Sequence, residues 1–97
     1  MSKTEPFDAA PFLTTPEAQV ELLNDALASG NAPYIAQALG VIARARGMSD
    51  VAREAGVTRE ALYRSLSDEG DPRLTTVMGV ARALGVTFTA TLTPSSI

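Results

Sequence analysis

The chain of 97 residues contains no cysteine. That excludes a disulfide framework, a thiolate nucleophile and thiolate metal ligands. It contains no histidine either. The commonest general base, the commonest metal ligand and every Ser–His or Cys–His dyad are therefore missing. The expectation is a protein that is not an enzyme and holds neither metal nor cofactor. No stretch approaches the roughly 18 continuous apolar residues of a membrane span. The first residues, Met1 to Pro6, lack the apolar core of a signal segment. A cytoplasmic protein with no membrane partner is expected.

What is present is globular composition, with 45% apolar and 20% charged residues. A chain of this length buries about two-thirds of its extended surface, enough for one small domain with a modest core. The formal charge of −3 conceals an uneven distribution. Residues 1–43 set Lys3 against Glu5, Asp8, Glu17, Glu21 and Asp25, a balance of −4. All seven arginines fall within residues 44–82, where six acids leave a balance of +1. Over residues 44–66 five arginines face three acids, a balance of +2, and residues 83–97 carry no charged side chain. The basic potential is thus confined to one block.

The pattern of apolar residues predicts a mainly α-helical chain in three parts. Residues 1–14 have no period and read as an extended N-terminal arm. Residues 15–85 read as five helices. The first has Thr15 as N-cap, Pro16 at its first position and apolar residues at 18, 22, 23, 26 and 27, and stops at Gly30-Asn31. The second starts near Pro33, buries Ile35, Ala38, Leu39 and Ile42, and ends at Arg46-Gly47. Two short helices follow, one capped by Ser49 and running to Ala55, the other capped by Thr58 and running to about Leu66. Asp71-Pro72 opens the fifth, with Leu74, Val77, Met78, Ala81 and Leu84 directed inward and Gly85 as its stop. In residues 86–97, Val86, Phe88, Ala90 and Leu92 alternate with threonines, the pattern of a β-strand. A lone strand is an unsatisfied edge. Pairing across a two-fold axis would satisfy it, so these four residues are the expected dimer seam. A tail whose threonines alternate by chance is the alternative.

The informative segment is residues 49–66, two helices of about two turns joined at Gly56. Ala52 is small where steeply crossing helices approach, and Val57 and Leu62 fill the corner between them. This is the sequence logic of a helix-turn-helix. Its second helix would lie in a DNA major groove. The helical period directs Thr58, Arg59, Glu60, Tyr63 and Arg64 outward. Arginine takes guanine O6 and N7 bidentately, and glutamate accepts from cytosine N4. Thr58 and Tyr63 can reach phosphate or a thymine methyl. Thr58 also stands where backbone N–H groups suit a phosphate. Arg53, Arg44 and Arg46 are placed for backbone contacts. Each has a plainer reading. Arg59 and Glu60 can be a solvated helix face, and Tyr63 half-buried packing. Arg44 and Arg46 can cap or lie over the second helix.

Across most of its length the chain resembles the Xre/Cro-type helix-turn-helix antitoxins called addiction-module antidote proteins, of type II toxin–antitoxin modules. The resemblance rests on Phe7-Asp8-x-Ala10-x-Phe12-Leu13-x-Thr15-Pro16-Glu17 and on Tyr34-Ile35-Ala36-x-Ala38-Leu39-Gly40-x-Ile42-Ala43-Arg44-Ala45-Arg46-Gly47-Met48. It continues through Ala52-Arg53-Glu54-x-Gly56-Val57-Thr58-Arg59-Glu60-x-Leu62-Tyr63 and Leu66-Ser67-x-x-Gly70-x-Pro72. It implies two activities. One is neutralisation of a cognate RelE/ParE-like toxin, commonly a ribosome-dependent mRNA endonuclease. The other is repression of the module through binding of a homodimer to double-stranded operator DNA. The DNA-facing residues would be Thr58, Arg59, Glu60, Tyr63 and Arg64. The arm at Phe7, Phe12 and Leu13, with the first helix, is the expected toxin contact, being apolar and acidic where such toxins are basic. The chain departs from common Xre proteins at Ser65-Leu66, where they carry an apolar residue followed by Glu, and in its acidic Asp68-Glu69 loop.

Two other classes compete. A Cro-like repressor without a toxin partner would carry the same residues. A helical protein-interaction module without DNA binding would show no salt-sensitive duplex affinity. The acids Asp68, Glu69 and Asp71 lack the spacing of a calcium loop and read as a solvated turn.

Overall fold

The computed structural model describes residues 15–94. They form five helices: α1 (Pro16–Ser29), α2 (Ala32–Arg46), α3 (Met48–Ala55), α4 (Arg59–Ser65) and α5 (Leu74–Leu84). The proposed arm with Phe7, Phe12 and Leu13 lies outside the described residues.

Local chemistry sets the helix starts. The Thr15 hydroxyl accepts the Ala18 N–H, and Pro16 needs no partner at the first position. The Asn31 side chain accepts the Tyr34 N–H and opens α2 only one residue beyond the αL cap Gly30 of α1. The Thr58 hydroxyl accepts the Ala61 N–H and opens α4. The predicted cap of α3 is corrected. Ser49 lies inside the first turn, and Gly47 occupies the cap position without a side-chain bond.

Both α3 and α5 end in the same device. Gly56 and Gly85 adopt left-handed φ of 76° and 73°. The next residue, Val57 or Val86, donates its N–H back to Ala52 or Ala81 at 3.0 and 2.9 Å. This is the Schellman arrangement, in which the residue after the glycine also packs on the core. Val57 and Val86 both do so. The turn of residues 56–58 therefore fixes the angle between α3 and α4.

Leu39, Leu62, Leu66 and Val80 are the largest fully enclosed side chains, drawn from α2, α4 with its cap residue, and α5. Around them Leu23, Ile42, Met48, Val51 and Leu84 complete one core. Two glycines let helix backbones meet. A β-carbon at Gly79 would stand 2.8 Å from Cα of Ala55, and one at Gly40 would stand 2.3 Å from the carbonyl oxygen of Leu66. α5 thus lies directly on α3, and α2 on the end of α4.

Two expectations are corrected here. The inward face of α5 is Val77, Val80, Ala81 and Leu84, whereas Leu74 is 74% exposed and Met78 46% exposed. The helix begins at Leu74 rather than at Pro72, and its close approach to α3 at Gly79 turns Val80 to the core and Leu74 and Met78 away from it. The larger correction concerns the C-terminal strand. Among the described residues there is no β-strand, so the fold is all-helical rather than helical with a C-terminal strand. Val86 is held by the α5 cap, and Val86 and Phe88 pack on the core. Ala90 and Leu92 are exposed, Leu92 by 96%. Among the described residues no second extended segment lies alongside to accept their N–H groups, and without a partner an alternating sequence makes no sheet.

The Tyr34 hydroxyl donates to Oδ2 of Asp25 at 2.6 Å and ties α2 to α1 at the surface. That hydrogen bond, with a smaller contribution from burial and the carboxylate charge, raises the Tyr34 pKa above its ordinary 10.0. The linkage stabilises the fold below pH 10.0 and is lost as pH climbs past the raised value.

Two measurements test this packing. Gly79→Ala should lower stability by about 1–3 kcal/mol in urea unfolding, because the obstructing atoms are backbone. Met78→Ala, one residue away and exposed, should stay within about 0.5 kcal/mol of wild type. In the Asp25→Asn variant the NMR titration of the Tyr34 ring should move to lower pH.

Candidate nucleic-acid interface

The arginine-bearing block folds into the α3–turn–α4 pair. Leu62 is the only fully buried position of α4, and its cap residue Leu66 follows it inward. That anchoring turns Arg59, Glu60, Tyr63 and Arg64 outward together, as their spacing predicts. The departure at Ser65-Leu66 has a structural outcome. Ser65 is the last residue of α4, its hydroxyl donates to the Leu62 carbonyl, and Leu66 packs inward.

The outward row has internal order. The Arg59 guanidinium lies over the Tyr63 ring, 5.3 Å from its centroid. This is a cation–π pair at i,i+4 spacing on an exposed face. Tyr63 is 39% exposed, so the ring covers little of the core and is largely free to meet a ligand. Glu60 and Arg64 are exposed, and no ion pair within α4 neutralises them. The Thr58 hydroxyl accepts the Ala61 N–H and keeps its own O–H as a donor.

The upstream arginines divide. Arg53 pairs with Asp50 on the exposed surface of α3 and shares a shallow recess with Arg46, Glu54 and Ala83. Arg44 is exposed near the end of α2. Arg46 is drawn away from the α4 row. Its Nε donates to Oε1 of Gln19 at 2.9 Å, and its Nη2 donates to the Leu84 carbonyl at 2.8 Å. It thereby clasps α1 to the end of α5, where the last carbonyls of a helix need donors. Arg73, at the cap position of α5, was not among the expected site residues. It lines a recess with Gly56, Val57, Ala61 and Ser65, against the flank of α4. Only the order of elements in space reveals it, since a turn of seven residues separates it from α4.

Three of the acids lie apart from the arginine block. Glu17, Glu21 and Asp25 recur at four-residue intervals along α1 and are all exposed. α1 packs chiefly on α2. Among the described residues no three acids come together in a way that could hold a metal ion. No described helix is long and apolar enough to cross a membrane.

Residues 3–92 match the model of a family described as "probable addiction module antidote protein". The chain is 49% identical over 82 residues to an uncharacterised protein of Haemophilus influenzae, an alignment covering 84% of each chain. No solved structure matches the chain significantly.

The two classes of arginine predict different outcomes. Arg46→Ala should lower stability by about 1–2 kcal/mol, since two hydrogen bonds from a charged donor are lost. Arg64→Ala should change it by no more than about 0.5 kcal/mol. Thermal melts of the two variants, read beside wild type, check both.

Proposed function

The chain belongs to the addiction-module antidote family, and from that premise we propose that it is an antitoxin with two binding activities and no catalytic one. It neutralises a cognate toxin of the RelE/ParE-like class. As a homodimer it binds the operator of its own operon and represses it. α3 and α4 act as an Xre/Cro-type helix-turn-helix, with α4 in the major groove.

The observation that carries the DNA reading is the α4 row. Arg59, Tyr63 and Arg64 are exposed on one short helix whose position is fixed by Leu62, Leu66 and the Gly56 turn. The two guanidinium groups are not tied up by carboxylates, which leaves their donors for base edges or phosphates. Arg53, Arg44 and Arg73 supply positive charge to the flanks, and Arg46 serves the fold instead. The Thr58 hydroxyl holds the start of the recognition helix and so sets its angle of approach. One module of this size makes few phosphate contacts and binds weakly. Two copies on half-sites about 34 Å apart supply the missing affinity, which predicts a palindromic operator.

Two experiments test the reading. Co-expression with the adjoining toxin gene should restore growth, and failure of rescue removes the antitoxin activity while leaving a Cro-like repressor. A gel-shift on the operon's promoter fragment should show binding that weakens steeply with salt. Absence of binding at low salt eliminates the DNA reading and leaves an interaction module. Within the shifted complex, Arg59→Ala and Arg64→Ala should each cost about 1–3 kcal/mol and relax preference at one base pair. A loss equal across all sequences identifies a phosphate contact instead.

A further inference from the structure

A cleft of about 110 Å³ opens between α1, the end of α2 and the residues after α5. Its apolar wall is Val20, Leu23, Ile42, Leu84 and Val86, and its polar border is Gln19 with Arg46, whose guanidinium is held by the Gln19 amide and the Leu84 carbonyl. Val20, 41% exposed, stands at its mouth and also borders a second shallow depression with Glu17 and Glu21. An apolar slot and an acidic ridge are therefore continuous along one side of α1. α1 contains no lysine or arginine to soften that ridge.

We propose that this face seats the toxin, through a cationic element that inserts one apolar side chain into the cleft beside Val20. The proposal rests on the antitoxin reading and assigns the surface that reading leaves open. Charge decides between the occupants. A second copy would set the same acids against each other, at a cost to association. Residues 1–14 carry Glu5 and Asp8 against Lys3 and match the ridge no better. A cationic partner satisfies both features, with the slot as the desolvated anchor and the acids as a rim that speeds encounter. α4 lies on α3, not on α1, so a toxin here leaves the arginine row uncovered.

The test uses the full-length chain and the purified product of the adjoining toxin gene. Val20→Asp should weaken toxin binding roughly tenfold or more, with operator binding and melting temperature unchanged. Glu17→Gln/Glu21→Gln should slow association and flatten its salt dependence. Toxin affinity within about twofold of wild type in both variants overturns the proposal. So does a Val20→Asp variant that keeps its toxin affinity but melts earlier, which would mean the cleft is covered by the chain's own residues. A Val20→Asp variant that only loses dimerisation on sedimentation assigns the face to a second copy and overturns it equally. Failure of the wild-type chain itself to bind the toxin removes the antitoxin reading, and this surface with it.

Discussion

The near-contact of Gly79 with Ala55 is the constraint on which the other helix positions depend. The space there admits no β-carbon, because its nearest neighbour would be the α-carbon of Ala55 at 2.8 Å. α5 therefore lies flush on α3, the most extensive helix pairing of the molecule. That pairing aligns Val80 with the core and brings the carbonyl end of α5 within reach of Arg46. It also backs α3 firmly enough for the Gly56 turn to aim α4. Gly40 does the matching work on the other side, letting α2 close over the Leu66 carbonyl at the end of α4. Helices α2, α3 and α5 thus hold a seven-residue helix that could not persist alone.

Features that depend on neighbouring residues were legible in the sequence. Thr15 and Thr58 stand where short polar side chains can take a free N–H, and the bounds of α1 and α4 follow within a residue or so, whereas Asn31 reads as the stop of α1 and in the structure also caps α2. The outward row of α4 follows from the helical period once Leu62 is taken as buried. Features that depend on distant residues were not legible. Leu74 and Met78 fit an apolar stripe as well as Val77 and Val80 do, and the contact at Gly79 chooses between them. Arg46 looked like its neighbours in a basic segment, yet a buried amide 27 positions earlier and a carbonyl 38 positions later claim it.

The C-terminal segment shows why alternation is weaker evidence than capping. A cap is satisfied by atoms three residues away, as at Thr15 and Thr58, although Ser49 shows that a capping residue can also fall inside the first turn. A strand is satisfied only by another strand. At Val86 and Phe88 the alternation does record burial, because those side chains fold back on the core after the Gly85 turn. Beyond Phe88 nothing among the described residues lies alongside, and Ala90 and Leu92 face solvent. The same apolar letters therefore have two different meanings within seven residues.

Segregated charge links the two proposed activities. A protein with acids and arginines evenly mixed would present the same weak field on every side. Here Glu17, Glu21 and Asp25 lie on α1, and the exposed arginines of α4 lie on a helix that packs elsewhere. For the proposed binding to DNA, this placement favours approach with α4 leading and α1 trailing. The net charge of −3 opposes non-specific binding to nucleic acid. The trailing face is the one best suited to a cationic partner. The clasp of Arg46 on Gln19 and Leu84 joins the two faces through α2. It spends one arginine of the basic block on holding α1 against the end of α5, on the border of the cleft proposed for the toxin.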